Sequence, residues 1–78
     1  MIYQVRTNQA EDLPTGKTRV FGNCLFTGES YEVSVPTAGI TQWIAGELIQ
    51  NALPGVSIGD REFLIGGISP NGWKSTFG

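Results

Sequence analysis

Cys24 is the one thiol in the chain, and no histidine stands at any position. Side-chain chemistry near neutral pH usually starts from one of those two residue types. Without histidine there is no imidazole to titrate between roughly pH 5 and 8, and the commonest metal ligand is missing. A single thiol closes no internal disulfide and builds no thiolate cluster around zinc. A nucleophilic cysteine also needs a base to take its proton and an electropositive, partly exposed setting. Cys24 lies between Asn23 and Leu25 in an apolar, strand-like context, so it is expected to be a buried core thiol.

Seven carboxylates remain, and acid–base catalysis needs two of them aimed at a common point. Glu11 and Asp12 lie in a polar stretch, Glu29 in a turn, Glu32 on the polar face of a strand and Glu47 on a helix. Asp60 and Glu62 stand near the start of a second helix, where capping and the helix dipole account for them. Arg61 between them reads as a surface ion-pair residue of small energetic value. Thr15-Gly16-Lys17-Thr18 matches the tail of a phosphate-binding loop. The full motif requires a glycine five residues before Gly16, a buried strand before it and a helix after it. Position 11 is Glu and a strand follows, so this segment is expected to be an exposed loop. No enzymatic activity, cofactor or metal is expected.

Recognition residues are the other possibility. Trp43, Phe63, Trp73 and Phe77 are large aromatics of the kind that anchor interfaces, although so small a domain must spend most of them on its core. Trp73 follows the turn-rich Pro70-Asn71-Gly72 and is expected to be the least enclosed.

The elements that would position these residues follow from periodicity. Ile2–Val5 alternates apolar and polar as a half-buried strand does. Thr7–Thr18 is polar, carries Pro14 and Gly16, and reads as a loop. A second strand starts at Arg19-Val20-Phe21 and is expected to continue through Leu25-Phe26, with Gly22-Asn23 as a bulge or turn. After Thr27-Gly28-Glu29-Ser30, the run Tyr31–Val35 alternates strictly, which predicts a hairpin. Thr37 is the expected cap of a helix over 38–53, with Ile40, Ile44, Leu48 and Ala52 stepping by four into an apolar stripe. Pro54-Gly55 stops it. Ser57 with Asp60 opens a short helix that Gly66-Gly67 ends, and Ser69-Pro70 starts a last one. Strands first and helices after give an α+β fold: a small antiparallel sheet, hairpin plus N-terminal strand, packed against one main helix and short C-terminal helices.

Seventy-eight residues make one domain over 1–78, too small for a second core. The net charge is −2, and Arg6, Lys17, Arg19, Arg61 and Lys74 are scattered rather than gathered into a stripe. That distribution argues against direct nucleic-acid binding and against an anionic membrane surface. No apolar run reaches the roughly 18 residues of a membrane span, and Met1 runs straight into a strand with no basic leader. A cytoplasmic location is expected, and an unpaired Cys24 suits a reducing compartment.

Phe26-Thr27-Gly28-Glu29-Ser30-Tyr31-Glu32-Val33, Trp43-Ile44-Ala45-Gly46-Glu47-Leu48-Ile49-Gln50, Asp60-Arg61-Glu62-Phe63-Leu64-Ile65 and Gly67-Ile68-Ser69-Pro70-Asn71-Gly72-Trp73 share their order and spacing with a group of small proteins borne by bacteriophages, prophages and plasmids. The resemblance covers residues 22–77 and brings no activity with it. In several of those proteins the positions of Ser69 and Gly72 are cysteines that could hold a metal or a redox couple; here both are replaced. The resemblance implies a mobile element inside a bacterial host cell.

Together these observations lead to the expectation of a non-enzymatic interaction protein. It would bind a host protein or protein–nucleic acid complex and inhibit or redirect it, as an anti-defence (anti-CRISPR-like) protein does. An acidic surface of Glu29, Glu32, Asp60 and Glu62, with Trp73 as anchor, would complement a basic groove. Two alternatives stand beside it. One is a nucleic-acid module using Tyr3, Phe21 and Tyr31 as stacking platforms, with Arg6, Lys17 and Arg19 on one face. The other is a homo-oligomeric accessory subunit.

Overall fold

The computed structural model describes residues 1–77. Strands β1 (Ile2–Val5), β2 (Asn8–Asp12), β3 (Lys17–Asn23) and β4 (Ser30–Pro36) form one antiparallel sheet in chain order. Helices α1 (Thr37–Ile44), α2 (Ile49–Ala52), α3 (Ile58–Gly66) and α4 (Pro70–Phe77) follow. The fold is α+β, with strands before helices as the periodicity predicts.

The sheet has one strand more than expected, because the polar stretch Thr7–Thr18 contains β2. Its inward residues are Asn8 and Ala10, both buried, so no apolar alternation announces the strand. Asn8 is tolerated there because its Nδ2 donates to the Phe63 carbonyl at 2.9 Å, which satisfies a buried amide. Gly22 makes the room: a Cβ there would lie 2.5 Å from Asn8 Oδ1. A two-residue turn, Arg6-Thr7, joins β1 to β2, with Val5 paired to Asn8. Arg6 takes φ 58°, a left-handed conformation that costs an L-residue roughly 1–2 kcal/mol and that glycine usually fills in such hairpins.

Registers place Tyr3, Ala10, Val20 and Val33 side by side on the inner face, with Thr18 beside Val35. The outer face carries Gln4, Gln9, Phe21 and Glu32 in one row and Glu11, Arg19 and Ser34 in the next, none of them buried. Inside lies a core of Val5, Ala10, Val20, Val35, Ile40, Ala52, Leu53, Phe63 and Leu64. Each large apolar side chain fully enclosed there contributes about 1.5–3 kcal/mol of transfer free energy.

The expected single helix over 38–53 is two helices. Gly46 at φ 112° breaks it after Ala45, and Ala45, Gly46 and Glu47 close the end by donating to Thr41, Trp43 and Gln42 carbonyls at 3.0 Å each. The four-step stripe is not buried as one face. Ile40 and Ala52 are buried, whereas Ile44 and Leu48 are 60% and 59% exposed. Thr37 is not the cap either: Pro36 occupies that position with no side-chain bond to the helix. The Thr37 hydroxyl instead lies 2.8 Å from Thr18 Oγ1. Since Thr18 gives its proton to Asp12, Thr37 is the donor. Strand β3 ends at Asn23 rather than running on through Leu25-Phe26, and both of those residues are exposed in the loop.

The C-terminal helices start where the sequence indicates. Ser57 Oγ accepts from Asp60 N at 3.2 Å, and Gly67, left-handed at φ 76°, closes α3 by donating to the Phe63 carbonyl. Ser69 Oγ accepts from Gly72 N at 3.0 Å and opens α4. Among the described residues no helix is long and apolar enough to cross a membrane.

Candidate functional site

The loop between β3 and β4 is clasped onto the α3–α4 corner, and the clasp creates the most distinctive surface of the molecule. Leu25 N donates to the Gly67 carbonyl at 3.0 Å. Ser69 N donates to Cys24 Sγ at 3.4 Å. Glu29 Oε1 accepts from Ser69 Oγ at 2.9 Å and from Asn71 Nδ2 at 3.2 Å. Gly72 completes the closure, since a Cβ there would stand 2.5 Å from Cys24 Sγ. Cys24 is 2% exposed, the buried thiol expected. Burial opposes charge on it, but hydrogen bonds from Ser69 and Thr27 outweigh that and hold its pKa at about 6, below the ordinary 9.0.

Clasped in this way, Phe26 lies against α4. Trp73 and Phe77, one helical turn apart, stack at 4.6 Å between centroids and 35°. Phe26 meets Phe77 at 5.7 Å and Trp73 edge-on at 6.4 Å. Aromatic pairs in this range attract beyond their buried area, so the three rings support one another, with Phe26 and Phe77 facing solvent and Trp73 half-buried. Phe26 is 47% exposed and Phe77 64%. Next to them a groove of about 370 Å³ runs between α3 and α4, lined by Ile58, Gly59, Glu62, Pro70 and Trp73. Gly59 allows the close approach: a Cβ there would lie 3.2 Å from Pro70 Cγ. The Trp73 indole N–H is buried without an acceptor among the described residues.

The five residues singled out from the sequence do not form one acidic face. Glu62 and Trp73 meet in the groove. Glu29 is engaged in the clasp, and its carboxyl is held below the usual range by Ser69 and Asn71. Asp60 accepts from the Tyr31 hydroxyl at 2.6 Å. Glu32 lies on the outer sheet face, 3.6 Å from Arg19. Phe77, expected in the core, is exposed, and Phe26 and Ile58 were not anticipated as surface residues. Only the four-residue spacing of Trp73 and Phe77 hinted at a shared face.

The strand aromatics do not make one platform. Tyr3 and Tyr31 belong to the inner face and Phe21 to the outer. Arg19 sits 4.1 Å above the Phe21 ring and is paired with Glu11 at 3.3 Å. Among the described residues no group of three or more His, Cys, Asp or Glu side chains gathers to hold a metal ion.

Comparison with known proteins leaves the site to speak for itself: no family model, no curated protein and no solved structure matches this chain.

Proposed function

We propose that this chain is a small non-enzymatic interaction protein of the phage type, which binds and inhibits or redirects a host macromolecule through the α3–α4 groove and the aromatic stack beside it. The observation that carries the reading is the packing of exposed Phe26 and Phe77 against half-buried Trp73, at the edge of a groove that also presents Glu62. A contiguous apolar patch on a small domain marks an interaction site more often than an accident of folding, and an aromatic anchor beside a charged rim is the usual anatomy of a binding hot spot. The mobile-element setting, and with it the anti-defence role, rests on the residue pattern over 22–77.

The test is affinity capture from lysate of a bacterial host, comparing the wild-type chain with Phe77→Ser and Glu62→Lys. The expected result is a stoichiometric host protein held at moderate salt by the wild type and lost with both variants while their thermal melts stay intact. Nucleic acid alone, released as salt rises, would instead support the stacking-module alternative. Capture that both variants retain would remove the groove from the mechanism.

A further inference from the structure

A second surface, which shares no lining residue with the α3–α4 groove, has Arg6 at its centre. Arg6 is held at φ 58° in a turn where glycine would relieve the strain, and strain kept in a native structure is a reason to ask what the side chain does there. Its guanidinium lies 5.2 Å from the Trp43 ring centroid, within cation–π range. Among the described residues no carboxylate stands within ion-pair distance of it, the recorded pairs belonging to Arg19. Two grooves meet at Arg6 and Trp43. One, of about 290 Å³, is completed by Gln4, Val5 and Ile44; the other, of about 330 Å³, by Leu48, Ile49 and Ile65 among its lining. Glu47 also borders the second groove, but its Oε1 is engaged with Leu48 N at 3.1 Å and Asn51 Nδ2 at 3.5 Å.

The break at Gly46 lies on the lining of the second groove. Ile44 at the end of α1 and Leu48 just before α2 are mostly exposed, and Ile65 of α3 is 39% exposed. The result is a guanidinium pinned on an indole and bordered by aliphatic side chains, in a protein whose net charge is negative.

We infer that this surface docks a protein segment presenting a carboxylate side chain next to aliphatic ones. The carboxylate would pair with Arg6, for which an immobilised guanidinium is suited, and the aliphatic groups would cover Ile44, Leu48 and Ile65. The surface is distinct from the α3–α4 groove, so the two readings succeed or fail separately.

The experiment is selection of a random peptide display library on the full chain, followed by fluorescence anisotropy with the synthesised consensus peptide. The expected consensus sets Asp or Glu beside Leu, Ile or Val. Its affinity should fall at least about tenfold, roughly 1.4 kcal/mol, with Arg6→Gln, fall similarly with Ile44→Ser, and stay unchanged with Glu62→Lys. Any of four results overturns the proposal: no enriched peptide, a consensus without an acidic residue, unchanged affinity for Arg6→Gln, or displacement of the peptide by single-stranded DNA. Sedimentation adds a fifth: a dimer dissolved by Ile44→Asp would make the occupant a second copy of the chain.

Discussion

The Tyr31 hydroxyl donates a 2.6 Å hydrogen bond to Asp60 Oδ1, and its ring meets Phe63 edge-on at 5.0 Å. One side chain on the inner face of β4 thus fastens the sheet to the first turn of α3. The bond to Asp60, then burial, then the Asp60 charge push the Tyr31 phenol from 10.0 up to about 12.

Tyr31→Phe keeps the ring contact and deletes the bond. A hydrogen bond to a charged acceptor is worth about 1.5–3 kcal/mol when desolvated, and partial exposure of both groups lowers that to about 1 kcal/mol. The pH dependence has a definite sign. A folded pKa above the unfolded one means that the contribution is complete below pH 10.0 and is lost as pH rises toward about 12. Denaturant melts of the two proteins should therefore converge across that window, and equal stability at neutral pH would show that the bond contributes nothing.

Two glycines in helices should respond to alanine in opposite directions. At Gly66 a Cβ meets nothing within 4 Å, so Gly66→Ala should stabilise by about 0.5–1 kcal/mol through helix propensity. At Gly39 the same propensity gain meets Leu53 Cδ2 and, at 2.6 Å, the Ala52 carbonyl oxygen. Backbone cannot swing aside, and overpacking costs about 1–3 kcal/mol or more. Gly39→Ala should lower the melting temperature by about 10 °C. A rise in Tm for both variants would refute the close α1–α2 packing.

How far the fold was legible depends on whether the signal is local. β4 was visible because Tyr31, Val33 and Val35 alternate, α3 because Ser57 and Asp60 mark its start and Gly67 its end. β2 was not, because its inward residues are Asn8 and Ala10, and what makes Asn8 acceptable is a carbonyl on Phe63, 55 positions away. The helix break depended on one glycine in a stretch whose apolar spacing argued for continuity, so Ile44 and Leu48 were assigned to the core. The candidate site was legible only as Glu62 and Trp73. The clasp that carries Phe26 onto Trp73 joins Cys24 to Ser69 across 45 positions, and such pairings leave no trace in local pattern.

Cys24 offers a test of the clasp itself. Its thiol is buried yet held at about 6, against an ordinary 9.0. A folded pKa below the unfolded one contributes stability above pH 9.0 that is lost as pH falls through about 6. The stability difference between wild type and Cys24→Ala should accordingly narrow across that interval as pH falls. Thiolate absorbance in the ultraviolet should appear near pH 6, while a bulky alkylating reagent reacts slowly at the same pH because the sulfur is enclosed. Titration close to 9.0 would show that the bonds from Ser69 and Thr27 do not outweigh burial.

The acids proposed from the sequence should separate into those that hold the fold and one free to meet a partner. Glu29 binds Ser69 and Asn71, so Glu29→Ala should lower the melting temperature at neutral pH. Its carboxyl pKa is lowered in the folded chain. That contribution is present above the unfolded value and disappears as pH falls through the folded one, so the two melts should converge in acid. Glu62 lines the groove and accepts no side-chain hydrogen bond among those recorded for the described residues, so Glu62→Lys should stay within about 0.5 kcal/mol of wild type, as surface substitutions usually do. Binding should show the reverse order: Glu62→Lys abolishes capture of the partner at a concentration where Glu29→Ala, still folded, retains it. Capture lost with Glu29→Ala and kept with Glu62→Lys would move the interface from the groove to the β3–β4 loop.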